Sequence, residues 1–169
     1  MNVIVRDAFT EEVNDVIALN IDAYHEYAHA LTADNWEIMR TSLSNVAKIA
    51  QQGQLIVAQN ERELVGSVIY YPPGSSDSRI FPPEWASVRI VAVSSRQRGQ
   101  GIGQQLSQEC IHRAKQDRAD MIGLHTSELM ISARRMYERL GFQQDIELPQ
   151  SLGIRYWRYS LNLLEPLSS

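Results

Sequence analysis

Residues 87–106, SVRIVAVSSRQRGQGIGQQL, constrain this chain more than any other stretch. An apolar run ends at Val93, a polar turn carries Arg96 and Arg98, and Gly99, Gly101 and Gly103 lead into a helical pattern. Glycines at alternate positions remove the side chains that would separate backbone from ligand, and the N–H groups of a helix N-terminus then face outward. Such donors, with the partial positive charge of the helix end, hold a phosphate, and neighbouring arginines add full charge. The same spacing also serves a tight turn in which glycine only permits positive φ, so the motif has to be weighed with its surroundings. Two nucleotide loops fail on residue identity. A Rossmann fingerprint needs glycines at 99, 101 and 104, but residue 104 is Gln and the motif follows the fourth strand rather than the first. A Walker A loop needs Gly-Lys-Ser/Thr, and the only lysines are Lys48 and Lys115.

Charge sharpens the point. Sixteen basic against twenty acidic side chains leave a net charge of −4, which excludes a surface built to coat nucleic acid or another polyanion. Any anion must therefore be met locally. At 169 residues and 44% hydrophobic content the expectation is one domain, 1–169, with a core large enough to need no staples. A lone cysteine, Cys110, excludes an intrachain disulfide framework and points to a cytoplasmic protein. No run approaches the ~18 to 20 apolar residues of a membrane helix, and MNVIVRDAF lacks the basic-then-apolar pattern of a signal peptide.

Periodicity predicts a strand at 2–7, one or two amphipathic helices over 11–31 with Val13, Val16, Ile17, Ile21, Tyr24, Ala28 and Leu31 as the stripe, and a helix over 35–52. Strands at 54–60 and 63–71 read as a hairpin, and a loop with four prolines follows at 72–85. A strand at 87–94, a helix at 101–118, a strand at 121–126, a helix at 131–140 and strands at 142–148 and 154–163 complete the chain. In the third helical region Ile102, Leu106, Cys110 and Ala114 form the packed face. The order predicts an α/β fold, one mixed sheet with helices on both faces.

Arg98-Gly-Gln-Gly101-Ile-Gly103 resembles the Arg/Gln-x-x-Gly-x-Gly/Ala pyrophosphate loop of the GNAT superfamily of acetyl-CoA-dependent N-acetyltransferases. Ala133-Arg-Arg-Met-Tyr137-Glu-Arg-Leu-Gly141-Phe142 is similar to that superfamily's A-x-x-x-Y-x-x-x-G-F helix. The resemblance implies a central, mostly antiparallel twisted sheet whose fourth and fifth strands splay, with the thioester of acetyl-CoA in the gap. It implies that the backbone of Val91, Ala92 and Val93 binds the pantetheine arm, that Arg98, Gly99, Gln100, Gly101, Ile102, Gly103 and Gln104 hold the pyrophosphate, and that Tyr137 is the general acid. The chain departs from the pattern at Ser87, where many members carry a Glu base, and at Met130, where many carry an Asn.

Acetyl transfer needs a neutral amine, yet an alkylammonium has a pKa near ~10, so a base or a water chain must take its proton. With Ser87 too weak a base, Glu84, His125 and Glu128 are the candidates, of which Glu84 and His125 are carried as catalytic with Tyr137. A backbone N–H near Val93 is the expected oxyanion donor. By resemblance, 24–36 and 72–85 shape the acceptor site, where Tyr24, Tyr27 and Trp85, with Trp36 and Phe81, offer walls and Asp22, Glu26, Asp34 and Glu84 attract a cation. The expected partners are acetyl-CoA and a small amine or peptide N-terminus, with no nucleic acid and no membrane; a homodimer is left open.

Two other readings stay open. His25-Glu26-Tyr27-Ala28-His29 satisfies H-E-x-x-H, the pattern of a zinc hydrolase. It lacks the extended form, since residue 32 is Thr and 35 is Asn, and no carboxylate stands about twenty residues on, so no metal is expected. A non-catalytic acyl-CoA-binding sensor would bind the cofactor yet release no thiol with any amine.

Overall fold

The computed structural model describes residues 2–164. Seven strands form one sheet in the order β1-β2-β3-β4-β5-β7-β6. They are β1 Val3–Asp7, β2 Gln54–Asn60, β3 Glu63–Tyr71, β4 Ala86–Val93, β5 Met121–Ser127, β6 Gln143–Ser151 and β7 Ile154–Asn162. All neighbouring pairs run antiparallel except β4 with β5. That parallel pair is held at Ala86–Ile122 and Ser87–Gly123 alone, so beyond Ser87 the two strands diverge.

Alternation along the strands sends each face to a different set of helices. Ile56, Ala58, Val65, Val68, Tyr70, Ile122 and Leu124 pack with Ile102, Leu106, Cys110 and Ala114 of α4, Ile102–Gln116. Val57, Ile69 and Tyr71 face the other way, onto Val16 of α1, Val13–Tyr24, and Val46 of α3, Val46–Ile49. The packed face of α4 is the one its spacing predicts, and all four of those side chains are buried.

Two helical expectations change. The 11–31 helix is α1 followed by a 3₁₀ segment, His25–Ala30. The face α1 buries is Val16, Leu19, Asn20 and Ala23 rather than the broader stripe that includes Ile21 and Tyr24. A polar residue escaped the apolar pattern here: buried Asn20 accepts a hydrogen bond from the Ser67 hydroxyl at 2.9 Å. The 35–52 helix is divided into α2, Ala33–Ser44, and α3, with Asn45 between them. Thr32 caps α2, its hydroxyl accepting from the Asn35 N–H at 3.1 Å. The final helix, α5, spans Ile131–Arg139. Strand β6, an edge strand, runs to Ser151 rather than 148, with register shifts that tolerate Pro149.

The 72–85 loop is bound down onto the sheet. Buried Phe81 sits where a side chain on Gly123 would be, 2.7 Å from an added Cβ, so β5 needs glycine at that point. The Arg158 guanidinium donates to the Ile80 carbonyl at 2.9 Å and lies 4.6 Å from the Trp85 ring.

Candidate active site

The divergence of β4 and β5 opens a cleft of about 810 Å³ that runs from the glycine turn, between the two strands, to α2 and the β6–β7 turn. Its character changes along its length, and each part has a local cause.

At the glycine end the chain passes from β4 through a short 3₁₀ turn, Ser95–Gln97, into α4. Gly99 and Gly101 both adopt φ +78°, and an added Cβ at either would meet nothing within 4 Å. Conformation, not crowding, therefore demands glycine at these two positions. Gly103 has no such φ, and its missing side chain leaves room beside Met136 and Val93. The first intrahelical bond of α4 is Gln105 N–H to the Gly101 carbonyl, so the preceding amides have no acceptor within the helix. Gly101, Gly103 and Gln104 line the cleft, which directs this anion-attracting end into it.

Arg98 behaves differently from expectation. Its guanidinium turns back to α1, pairing with the Glu26 carboxylate at 2.5 Å and donating to the Ala23 carbonyl at 2.6 Å. Arg96 and Gln100 are exposed. The positive character of the turn is thus mainly backbone.

In the middle of the cleft β4 carries a bulge. Its register against β3 shifts between Ser67 and Ile69, and Ile90 is held at φ +54°, an unusual state for a β-branched residue. The Ser94 N–H donates to the Val65 carbonyl at 2.9 Å, which makes Ser94 a hydrogen-bonded partner of β3. By antiparallel alternation Ala92 also faces β3, while the polar groups of Val93 and Val91 face the gap, where β5 has moved away. The Val91 carbonyl, which faces the gap, accepts a long hydrogen bond from the Tyr24 hydroxyl, 3.4 Å.

Tyr137, on α5, reaches the same place. It is 6% exposed, packs edge-on to Phe142 at 5.9 Å, and burial raises its phenol well above the ordinary tyrosine range. Among the described residues its hydroxyl has no hydrogen-bond partner, so it is a protonated donor facing the cleft. Tyr24 and Tyr27 line the cleft beside it; burial raises both, Tyr27 to about 12.

Of the candidate bases, His125 lines the cleft and Glu84 does not. Glu84 is exposed at the mouth of β4, on the loop that Phe81 and Trp85 bind to β5. Glu128 is also exposed and outside the cleft. His125 lies 6.2 Å from the Tyr156 ring, its Nδ1 buried without a partner. Burial first, then the nearby Arg89 cation, lowers its pKa to about 4, so the imidazole is neutral near pH 7. Ser87 is buried and shares a 2.7 Å hydrogen bond with Ser76, which removes it from the chemistry. Cys110 is fully buried, its thiol pushed up to about 12 by desolvation, and is no nucleophile.

The acceptor walls also differ from expectation. Trp85, Phe81 and Trp36 do not line the cleft; Trp36 packs edge-on to His25 at 5.7 Å. Met39, Ser42 and Leu43 of α2, Ile49 of α3 and Leu152 of the β6–β7 turn take their place. These positions are far apart in sequence and lacked any local signature. The acidic groups expected there are engaged or outside: Asp22 accepts from the Ser95 N–H at 3.0 Å, Glu26 pairs with Arg98, and Asp34 and Glu84 are exposed.

The H-E-x-x-H pattern falls in a 3₁₀ segment, where residues four apart point about 120° away from one another instead of sharing a face. Among the described residues no group of three His, Cys, Asp or Glu side chains converges on a metal-sized site. No helix is long and apolar enough to cross a membrane.

Comparison with known proteins agrees with this geometry. The human protein N-acetyltransferase 8B is 28% identical over 109 residues, covering 63% of this chain but 47% of its own length, so the match spans about half of that relative. Among solved structures, a histone acetyltransferase and related acetyltransferase of Corynebacterium glutamicum superimposes with a TM-score of 0.75, at 21% identity over 99% of this chain and all of that one. A GNAT acetyltransferase of Staphylococcus aureus gives 0.72, at 20% identity over 96% of this chain and all of its own. An acetyltransferase of Salmonella typhimurium, solved with its cofactor acetyl-CoA, gives 0.69 at 16% identity, covering 100% of this chain and 98% of its own. The sequence profile of the Acetyltransferase (GNAT) family matches residues 13–142, which takes in α1, the glycine turn and the Tyr137 helix: the chain belongs to the GNAT family of acetyltransferases.

Proposed function

We propose that the protein is an acetyl-CoA-dependent N-acetyltransferase that acylates a primary amine by direct attack, with both substrates bound in one cleft. The observation that carries this reading is the continuity of that cleft, from unpaired α4 amides through the strand gap to the Tyr137 hydroxyl, which has no hydrogen-bond partner among the described residues. The fit to the cosubstrate is chemical. A pyrophosphate matches the Gly101–Gln104 amides, and a linear amide-bearing arm matches the outward polar groups of Val91 and Val93.

Acetyl-CoA, when bound, supplies an activated acyl thioester. The Val93 N–H faces the gap, where it can donate to the acyl oxygen as negative charge builds there. The neutral His125 imidazole lines the cleft, where its Nε2, rather than the buried Nδ1, reaches the amine and orients it. The amine nitrogen forms the new bond to the acyl carbon as the carbon–sulfur bond breaks. Tyr137 delivers its proton to the departing sulfur, and the proton shed by nitrogen passes to solvent, from which Tyr137 is restored. A base with a pKa of about 4 is too weak to hold that proton at pH 7, so water is its carrier.

The test is thiol release from acetyl-CoA across a panel of primary amines, with calorimetry alongside. Saturable binding and amine-dependent release are the expected results. Binding without release for every amine would make the protein an acyl-CoA sensor.

A further inference from the structure

We infer that the acceptor end of the cleft is built around Arg89 to take a free α-amino acid with an apolar side chain, its carboxylate on the guanidinium. The inference rests on the acetyltransferase reading and narrows its substrate.

Four residues that line the cleft are charged at neutral pH: Glu26, Arg89, Arg98 and Arg139. Glu26 and Arg98 neutralise one another beside the glycine turn. Arg89 stands at the other end, next to the Tyr71 hydroxyl. It projects from β4 opposite Ile69 and shares a sheet face with Tyr71, whose hydroxyl donates to the Ile49 carbonyl at 2.5 Å. Arg89 is half-buried, and among the described residues it takes part in no ion pair. The carboxylate that senses it, Asp77, is engaged by Arg79 at 2.9 Å and feels Arg89 last among its influences.

A half-buried guanidinium with no salt-bridged carboxylate has donors to spare, and a ligand carboxylate meets its planar fork with two parallel hydrogen bonds. Arg89 on β4 and His125 on β5 each lie two residues beyond the paired Ser87 and Gly123, so both side chains flank the same gap. The carboxylate and the reacting nitrogen must therefore be close together, as they are when both sit on one carbon. Met39, Leu43, Ile49 and Leu152 leave an apolar space for the remaining substituent, and no unpaired acid faces it to hold a second cation. Polyamines and lysine side chains find no partner here.

The experiment compares L-phenylalanine, L-phenylalaninamide, a phenylalanine-initiated tripeptide and a diamine as acceptors, by thiol release with the wild-type protein and with Arg89→Gln. Losing one charge-assisted pair corresponds to roughly 10- to 100-fold, so the free acid should exceed the amide by that factor in kcat/KM. In Arg89→Gln that preference should collapse to about unity, and Arg89→Lys should restore part of it, with acetyl-CoA affinity preserved in both as the check on folding. An amide, tripeptide or diamine used as well as the free acid, or a preference unchanged in Arg89→Gln, overturns the inference and leaves the acetyltransferase reading standing. Absence of both acetyl-CoA binding and thiol release overturns both together.

Discussion

The two ends of the cleft are made of different materials. The end at α4 is mostly backbone, contributed by one continuous segment in which Gly99 and Gly101 take left-handed φ and helical amides have no acceptor. The end at Arg89 is all side chain, drawn from α2, α3, β4, β5, β7 and the β6–β7 turn. A backbone site binds what every substrate of a family shares, and it is insensitive to most substitutions because it needs few side chains. A side-chain site can be rebuilt one residue at a time while the fold is kept, and the fold is kept among structures at 16–21% identity.

The sharpest way to break this contrast is at the backbone end. Gly101→Glu puts a Cβ at φ +78° and a carboxylate in front of the α4 amides, so acetyl-CoA affinity should fall by about 1,000-fold or more, from like-charge repulsion and lost donors together. Circular dichroism checks that the fold survives, and Gly103→Ala is a second probe. Its Cβ would meet Met136 and Val93 at an ordinary 3.6 Å, so the protein should fold normally and bind less tightly.

Tyr137→Phe comes next. If the proposed acid role holds, removing its hydroxyl should lower kcat by about 100-fold, with acetyl-CoA affinity within twofold, read by steady-state kinetics and calorimetry. Because burial raises the phenol, the wild-type rate should show no fall from Tyr137 deprotonation below pH 10. Equal losses in affinity and kcat would assign Tyr137 to packing.

His125 tests the side-chain end through stability. Its folded pKa of about 4 lies below the unfolded value of 6.5, so between these pH values the unfolded chain binds the extra proton. Stability should therefore fall as pH drops from 7 to 5, by about 2 kcal/mol from this group. Urea denaturation of wild type and His125→Gln at the two pH values should show that difference vanish in the variant.

The smallest expected effect is at the boundary of the glycine turn. Glu26→Gln frees Arg98 and removes a negative charge beside the anion site; an exposed pair of this kind is worth at most about 1 kcal/mol, so acetyl-CoA affinity should rise by no more than about fivefold. Weaker binding in this variant would mean that Glu26 holds Arg98 where the ligand needs it.

The same division explains what could be read from the residues. The glycine spacing, the α4 face of Ile102, Leu106, Cys110 and Ala114, and the Tyr137 helix are local patterns and stand where periodicity placed them. Glu84, Trp85 and Phe81 looked well placed because their loop precedes β4, but Phe81 fills the notch over Gly123 and carries the loop away from the cleft. Arg89 sat unremarked inside a strand, since an isolated arginine in an apolar run has no spacing to betray it. The turn from α-helix to 3₁₀ at His25 was equally silent, yet it undoes the metal pattern. Long-range packing decides such positions, and single-sequence periodicity does not contain it.

The central claim is that a strand gap and a helix end in this chain hold acetyl-CoA. Calorimetric titration of acetyl-CoA into wild type, Gly101→Glu and Arg89→Gln addresses it directly. One saturable site in wild type and in Arg89→Gln, lost in Gly101→Glu, is the predicted result. No binding in wild type, or equal binding in Gly101→Glu, would contradict it.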